Sequence, residues 1–232
     1  VSSLPFNLRL QKLFMKWSLN QFSSITCPSI ELEYLISNWG VNKPIILIPN
    51  GVACTNNYQN IKDFDLITVS RLIQIKNIDK LILACANTQS KLAIVGDGPE
   101  RENLENLAIQ LSADVKFIGK LNEDEVAKIL LKSKIFSLLS DYEGLSFALL
   151  GAMAAGLPSI VSNVKGNTDV ISDGVEGLVV NINNQKEIEN AILKLLDSPE
   201  LLLKYGNAAK QKVRKLYDQK VQISKVIELM KV

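Results

Sequence analysis

Apolar residues fall into short clusters at regular intervals along most of the chain. Leu66 to Ser70 (LITVS), Lys91 to Val95 (KLAIV), Val115 to Ile118, Ile135 to Leu139, Ser159 to Ser162 and Gly177 to Val180 are compact aliphatic and β-branched runs. Runs of that length bounded by turn residues predict buried strands. Between them, apolar positions recur at helical spacing over Ile78 to Ala86, Pro99 to Leu111, Glu123 to Leu131, Leu145 to Ala155, Lys186 to Leu196 and Pro199 to Tyr217. Pro99 is placed at a first helical turn, with Glu100 and Glu102 near the positive end of the helix dipole. Ser198-Pro199-Glu200 is a strong helix start, with a capping hydroxyl, a proline and an acid in order.

Strands that alternate with helices predict an α/β fold, a doubly wound parallel sheet with helices on both faces. The first fifty residues differ. Leu4 to Phe22 predicts an amphipathic helix. Ser24 to Pro28 and Ile45 to Pro49 predict strands around a helix at Glu31 to Ser37, a βαβ scrap too small for a core of its own. Ile25, Ile46, Leu47 and Ile48 are strand residues that need covering, so this remnant is expected to expose apolar surface. Asn56 to Lys62 is polar and weakly patterned, as a linker is. The expected organisation is therefore 1–52 as a remnant, 53–62 as linker, 63–217 as the main domain, and 218–232 as a last helix packed back toward the remnant.

Composition narrows the chemistry. Hydrophobic residues make up 47% and the net charge is +2, so nothing in the whole chain points to nucleic acid. The absence of histidine removes Ser-His-Asp and Cys-His catalysis and any His-ligated metal site. The three cysteines are too scattered for a metal or redox motif, and fit reduced thiols in the cytoplasm. Arg9, Lys12 and Lys16 lie among Leu8, Leu10, Leu13, Phe14 and Trp17. Two readings stay open for that stripe: a packed helix with a solvated face, or peripheral contact with the inner face of an anionic membrane.

In a doubly wound sheet ligands bind beyond the C-terminal strand ends, which directs attention to three junctions. Arg71 and Lys76 follow the strand at Leu66, and a guanidinium fork with an ammonium suits a diphosphate. Gly96-Asp97-Gly98-Pro99 follows the next strand, where glycines serve either close ligand approach or a tight turn. Arg101 stands where a dinucleotide fingerprint needs its third glycine, which argues against a nicotinamide enzyme. Ser140 to Ser146 (SDYEGLS) opens a helix whose free amides at Gly144, Leu145 and Ser146 would face an anion. Glu143 just before them either caps that helix or accepts hydrogen bonds from a sugar hydroxyl.

Several of these pieces together resemble the C-terminal, donor-binding domain of GT-B glycosyltransferases, in particular the retaining glycosyltransferase family 4. They are SRLIQIKNID (70–79), IVGDGP (94–99), VKFIGKL (115–121), SDYEGLSFALLGAMAAGLPSIVS (140–162), KGNTDVISDGVEGLVV (165–180) and DSPELL (197–202). TCPS (26–29) and IILIPNGV (45–52) resemble the end of the family's N-terminal domain and its connector. The resemblance implies transfer of a sugar, with retention, from a nucleoside-diphosphate sugar to a glycan or lipid-linked acceptor, without metal or other cofactor. It implies that Arg71 and Lys76 bind the diphosphate and Glu143 the sugar. Amides at Gly144, Leu145 and Ser146 would hold phosphate, with Gly96 and Gly98 beside the donor and Lys120 and Leu121 near the base. Glu143→Gln is then expected to leave binding of the bare nucleotide nearly intact.

Gly151 stands where the family's second glutamate, a ribose ligand, belongs, and Asp169 where it often has glutamate. Most of the acceptor-side domain has no counterpart in this chain. That leaves an alternative function, a nucleotide-sugar-binding module or subunit that needs a separate acceptor-binding chain.

Overall fold

The computed structural model describes residues 6–53 and 62–230, so most of the expected linker lies outside the described residues. The chain begins with α1 (Phe6–Leu19), β1 (Ile25–Cys27), α2 (Ile30–Asn38) and β2 (Ile45–Leu47). The main domain follows as β3 (Phe64–Val69), a 3-10 turn (Gln74–Lys76), α3 (Ile78–Thr88), β4 (Leu92–Val95), α4 (Arg101–Gln110) and β5 (Val115–Gly119). It continues as α5 (Glu123–Leu131), β6 (Ser133–Leu138), α6 (Phe147–Ala154), β7 (Ser159–Ser162), α7 (Lys165–Thr168) and β8 (Gly177–Val180). The last helices are α8 (Gln185–Leu196), α9 (Pro199–Leu216) and α10 (Gln219–Met230).

The strands of the main domain form one 6-stranded sheet in the order β5-β4-β3-β6-β7-β8, paired in parallel throughout. This is the doubly wound arrangement the pattern predicts. Alternate strand residues bury on opposite faces. Leu66, Leu92, Ile94, Ile135, Ile160 and Leu178 pack with α3, α4 and α8. Ile67, Ala93, Val95, Phe136, Leu138 and Val161 pack with α5, α6 and the later turns of α9. With both faces covered, the strands carry almost uninterrupted apolar sequence.

Local signals set most boundaries. Asn122 and Glu125 form a reciprocal cap that starts α5, and Ser198 caps α9 with Pro199 at its first position. Two expected starts shift. Pro99 and Glu100 stay in a turn and α4 begins at Arg101. The Ser146 side chain caps Leu149, so α6 begins at Phe147 rather than at Leu145. The short α7 carries no apolar periodicity and was not expected.

The N-terminal segment is more complete than its length suggests. β1 and β2 pair in parallel, and Ile25, Cys27, Ile36 and Val41 make a small core between them and α2. Ile25 is thus covered, which corrects the expectation for that residue, and Ile46, Leu47 and Ile48 are half-buried. Exposed apolar surface lies instead on α1, at Leu10, Leu13, Phe14 and Trp17, and on α2, at Ile30, Tyr34 and Leu35. The end of this segment is stitched to the last helix: the Val52 amide donates to Tyr217 and the Gln219 amide donates to Val52.

Two carboxylates pin elements at the opposite end of the sheet from the strand C-termini, or on its helical face. Asp65 accepts from the Lys91 amide at 2.9 Å and from Lys134 Nζ at 2.7 Å, which joins the starts of β3, β4 and β6. Burial alone would raise the Asp65 carboxyl, but the Lys134 hydrogen bond, the Lys91 amide and the two charges outweigh it and its pKa is lowered. Glu189 is lowered by hydrogen bonds from Asn87 and Lys186. A carboxylate with a depressed folded-state pKa stabilises the protein above its unfolded pKa, and that stability is lost as pH falls through the folded value. Thermal melts from pH 7 to 3 are therefore expected to show a loss beginning near about pH 4. A variant carrying Asp65→Asn and Glu189→Gln should start less stable at pH 7 and lose less on acidification.

Candidate functional site

The chain runs outward from β3 through β4 to β5 and then returns to lay β6 against the other side of β3. The connections after β3 and β6 therefore diverge to opposite faces, and a crevice opens between them at the strand C-termini. Arg71 and Lys76 follow β3 and Glu143 follows β6, so all three fall at this crevice.

Lys76 Nζ meets Glu143 Oε1 at 2.5 Å, with the two side chains only 17% and 10% exposed. An ion pair so largely desolvated holds its geometry tightly, because breaking it strands a charge away from water. The same Oε1 accepts from Ser140 Oγ at 2.6 Å. Behind Ser140, Ser162 Oγ donates to its carbonyl at 2.6 Å, and the Asn167 side-chain amide donates to Ser162 Oγ at 3.0 Å. The carboxylate thus rests on a polar chain that links the ends of β6 and β7 to α7. Arg71 is exposed and enters none of the ion pairs among the described residues.

Gly144, Leu145 and Ser146 do not open the helix, as expected, but form the loop just before it. The Gly144 position faces open space, with no atom within 4 Å of where a side chain would start. Among the described residues no backbone hydrogen bond uses the amides of Gly144, Leu145 or Ser146. They remain available to an anion, though as a loop cradle next to the helix dipole rather than as its first turn. Gly166 explains how this loop lies so low. A side chain there would meet the carbonyl oxygens of Glu143 and Gly144 at 2.1 Å, so only glycine lets α7 pass beneath. Nothing in its local sequence signalled that role.

Of the two readings left open for Gly96 and Gly98, the geometry accounts for the tight turn. Gly96 sits at φ +130, and a side chain there would strike the Ser70 carbonyl, while one at Gly98 would strike the Leu72 carbonyl. Both glycines let the loop after β4 close on the loop after β3, so they shape the crevice as a tight turn does. Lys120 and Leu121 follow β5, which lies beyond β4 from β3, a distance of about 10 Å at ordinary strand spacing. Lys120 is exposed, and Leu121 packs on the apolar layer under α5 and α6. Gly151 lies inside α6, and a side chain there would touch only Leu130 Cδ1, at 3.8 Å. Asp169 is held by Lys165 Nζ at 2.6 Å and lines, with Gly144 and Leu145, a cavity of about 60 Å³ against Pro28, Pro49 and Tyr217.

A family model described as "Glycosyl transferases group 1" matches residues 56–212. The chain belongs to this family. A Bacillus anthracis N-acetyl-alpha-D-glucosaminyl L-malate synthase is 32% identical over 154 residues, 64% of this chain and 40% of the relative. A GDP-mannose-dependent monoacylated alpha-(1-6)-phosphatidylinositol monomannoside mannosyltransferase from Corynebacterium glutamicum is 28% identical, over 79% of this chain and 52% of its own. An uncharacterized glycosyltransferase of Methanocaldococcus jannaschii matches at 26% over 86% of this chain and 57% of the relative. The chain thus spans about half the length of these group 1 relatives.

Among solved structures, sucrose-phosphate synthase from Thermosynechococcus elongatus superposes with a TM-score of 0.83 at 22% identity, covering 96% of this chain and 61% of that one. Anabaena HepE, solved with UDP and glucose, superposes with a TM-score of 0.82 at 18% identity, covering 91% and 64%. At such identities these two likenesses show the GT-B type of fold.

One substitution isolates the helix cost of the departure at Gly151. Glycine inside a helix is destabilising relative to alanine by about 0.5–1 kcal/mol, and the Leu130 contact leaves room for a methyl group. Gly151→Ala is expected to stabilise the chain by about that amount in urea unfolding. A loss of stability instead would mean that the space above Leu130 is smaller than the structure shows.

Proposed function

We propose that this chain supplies the donor side of a sugar transfer from a nucleoside-diphosphate sugar to a hydroxyl of a glycan or lipid-linked acceptor, with retention of configuration. The observation that carries this reading is the Lys76–Glu143 pair at the crevice between β3 and β6. A cation for a diphosphate and a carboxylate for sugar hydroxyls stand side by side, with Arg71 on the same loop as Lys76. The names of relatives that use GDP-mannose and the HepE complex with UDP and glucose support the choice of ligand class.

In this reading Arg71, Lys76 and the amides of Gly144 to Ser146 meet the negative charge that develops on the departing diphosphate. Glu143 accepts from the transferred sugar and fixes its orientation. Lys120 and Leu121, set off beyond β4, lie toward the base. The positive charge needed comes from side chains and amides, so metal chelation with EDTA is expected to leave donor binding unchanged.

A second reading is favoured by Gly151, which offers no side chain to the ribose. The chain would then be a nucleotide-sugar-binding module that works with a separate acceptor-binding chain. A transfer assay with and without a candidate acceptor-binding chain separates the two, and Gly151→Glu tests the ribose position in titrations with nucleoside diphosphates. Tighter binding marks a simple loss at an otherwise intact donor site; weaker or unchanged binding marks a pocket remodelled for another ligand. We assign the chain to the cytoplasm, with the exposed Leu10, Leu13, Phe14 and Trp17 face of α1 offering peripheral membrane contact.

Arg71→Ala removes a charge-assisted contact and is expected to weaken nucleotide-sugar binding by about 1.5–3 kcal/mol, roughly ten- to a hundred-fold. Calorimetric titration with UDP-, GDP- and ADP-sugars checks this, and an unaltered affinity would remove Arg71 from the site. The ion pair revises the expectation for Glu143→Gln. Because Glu143 neutralises Lys76, its loss should weaken binding of the intact nucleotide sugar yet strengthen binding of the bare nucleoside diphosphate. The same titrations read both effects.

A further inference from the structure

We propose that Asn77 is a positioning residue for donor recognition, clamping the loop that carries Lys76 to the loop that carries Glu143. The proposal rests on the donor-site reading above and adds to it the device that sets the two ends of the site against each other.

Asn77 lies between the 3-10 turn and α3 in the left-handed conformation, φ 47 and ψ 41. An asparagine just before a helix ordinarily accepts a hydrogen bond from an amide of the first turn through its side-chain oxygen. Asn77 makes no such bond. Its side-chain amide reaches across the crevice instead, donating to the Leu139 carbonyl and to Asp141 Oδ1, each at 2.9 Å. Asp141 returns a bond, its backbone amide donating to the Ile75 carbonyl at 2.9 Å. Asn77 is 8% exposed, so these contacts are made largely out of water, where a lost partner is costly.

The consequence is geometric. Lys76 immediately precedes Asn77, and Glu143 follows Asp141 by two positions. The three clamp bonds therefore fix the backbones on both sides of the Lys76–Glu143 pair without touching either charged group. Lys76 faces the diphosphate and Glu143 the sugar, so the clamp sets the spacing between the two recognition points of one ligand. A bare nucleoside diphosphate engages Arg71, Lys76 and the backbone amides after Glu143, whereas an intact nucleotide sugar also engages the Glu143 side chain, whose distance from Lys76 the clamp sets.

Asn77→Gly tests this without straining the backbone, because glycine adopts the left-handed conformation freely. Asn77→Ser is the second variant, since it adds no charge and a short hydroxyl with one hydrogen to give cannot serve both Leu139 and Asp141. Calorimetry on the full chain would compare UDP, GDP and ADP with UDP-glucose, GDP-mannose and ADP-glucose, with urea unfolding alongside. For the nucleotide that binds, both variants are expected to lose on the order of tenfold in affinity for the nucleotide sugar, since misplacement by about 1 Å carries penalties of that order or more. Affinity for the bare diphosphate should change by less than about threefold. Equal losses for both ligands would make Asn77 a general structural support, and unchanged affinities would make it a bystander; either result overturns the clamp. A parent chain that binds none of the six probes overturns the donor-site reading itself, and the clamp with it. Parent binding that Arg71→Ala weakens, together with Asn77 variants indistinguishable from the parent, leaves the donor site standing and removes the clamp alone.

Discussion

The pairing of β3 with β6 is the contact on which the site depends. These strands are far apart in sequence, and the chain reaches one from the other only after building β4 and β5 on the opposite side. That order makes the helices after β3 and β6 leave toward opposite faces of the sheet. The gap they leave is where Lys76 and Glu143 find each other. A different strand order would keep every local element and abolish the pair. Leu66, Ile67, Ile135 and Phe136, all fully buried, hold the two strands in register from both faces. The apolar core is therefore what aligns the charged groups.

Glycines let the loops above this junction lie close enough to act together. Gly96 admits the Ser70 carbonyl and Gly166 admits the carbonyls of Glu143 and Gly144. In each case a single methyl group would push one loop off its neighbour, and the neighbour is the loop that carries Arg71 and Lys76 or Glu143. The polar chain from Asn167 through Ser162 and Ser140 works in the same direction, holding the Glu143 carboxylate from beneath. Buried hydroxyls in such a chain gain most when every member has its partner, which ties the placement of Glu143 to β7 and α7 as well as to β6.

Much of this was legible in the sequence, for a definite reason. Strands covered on both faces need continuous apolar runs, and the runs at Leu66, Lys91, Ile135 and Ser159 stand out against polar turns. Ser198 before Pro199 marked the start of its helix, α9, to the residue. The strand-end rule then pointed to Arg71, Lys76 and Glu143. What was not legible depends on which loop meets which. Glu143 reads equally as a helix cap or a sugar ligand until Ser146 is seen to do the capping and Lys76 to face the carboxylate. Asn77 carries no local sign of its role, because only the fold brings Leu139 and Asp141 to its side chain. Gly96 and Gly98 read equally as a ligand approach or a tight turn, because a sequence shows a glycine but never the carbonyl pressed against it. The small core at Ile25, Cys27, Ile36 and Val41 was missed because it is assembled from residues whose spacing is too short to show a period.

The charge balance at the crevice follows from the same geometry. Lys76 is satisfied by Glu143 before any ligand arrives, whereas Arg71 is exposed and unengaged among the described residues. An anion approaching this junction meets Arg71, exposed, and Lys76, already partnered. On the proposed donor-site reading, a diphosphate alone must draw on Lys76 against the pull of Glu143, in a setting where little water remains to soften the competition. A sugar attached to that diphosphate changes the balance, because its hydroxyls offer Glu143 new donors at the moment Lys76 turns toward phosphate. The carboxylate then loses no partner when its cation is shared. Under that reading, joining the two charges in one pair would make the sugar and the diphosphate mutually supporting ligands: each would be held better when the other is present, and neither end of the site would be fully satisfied by half of the molecule.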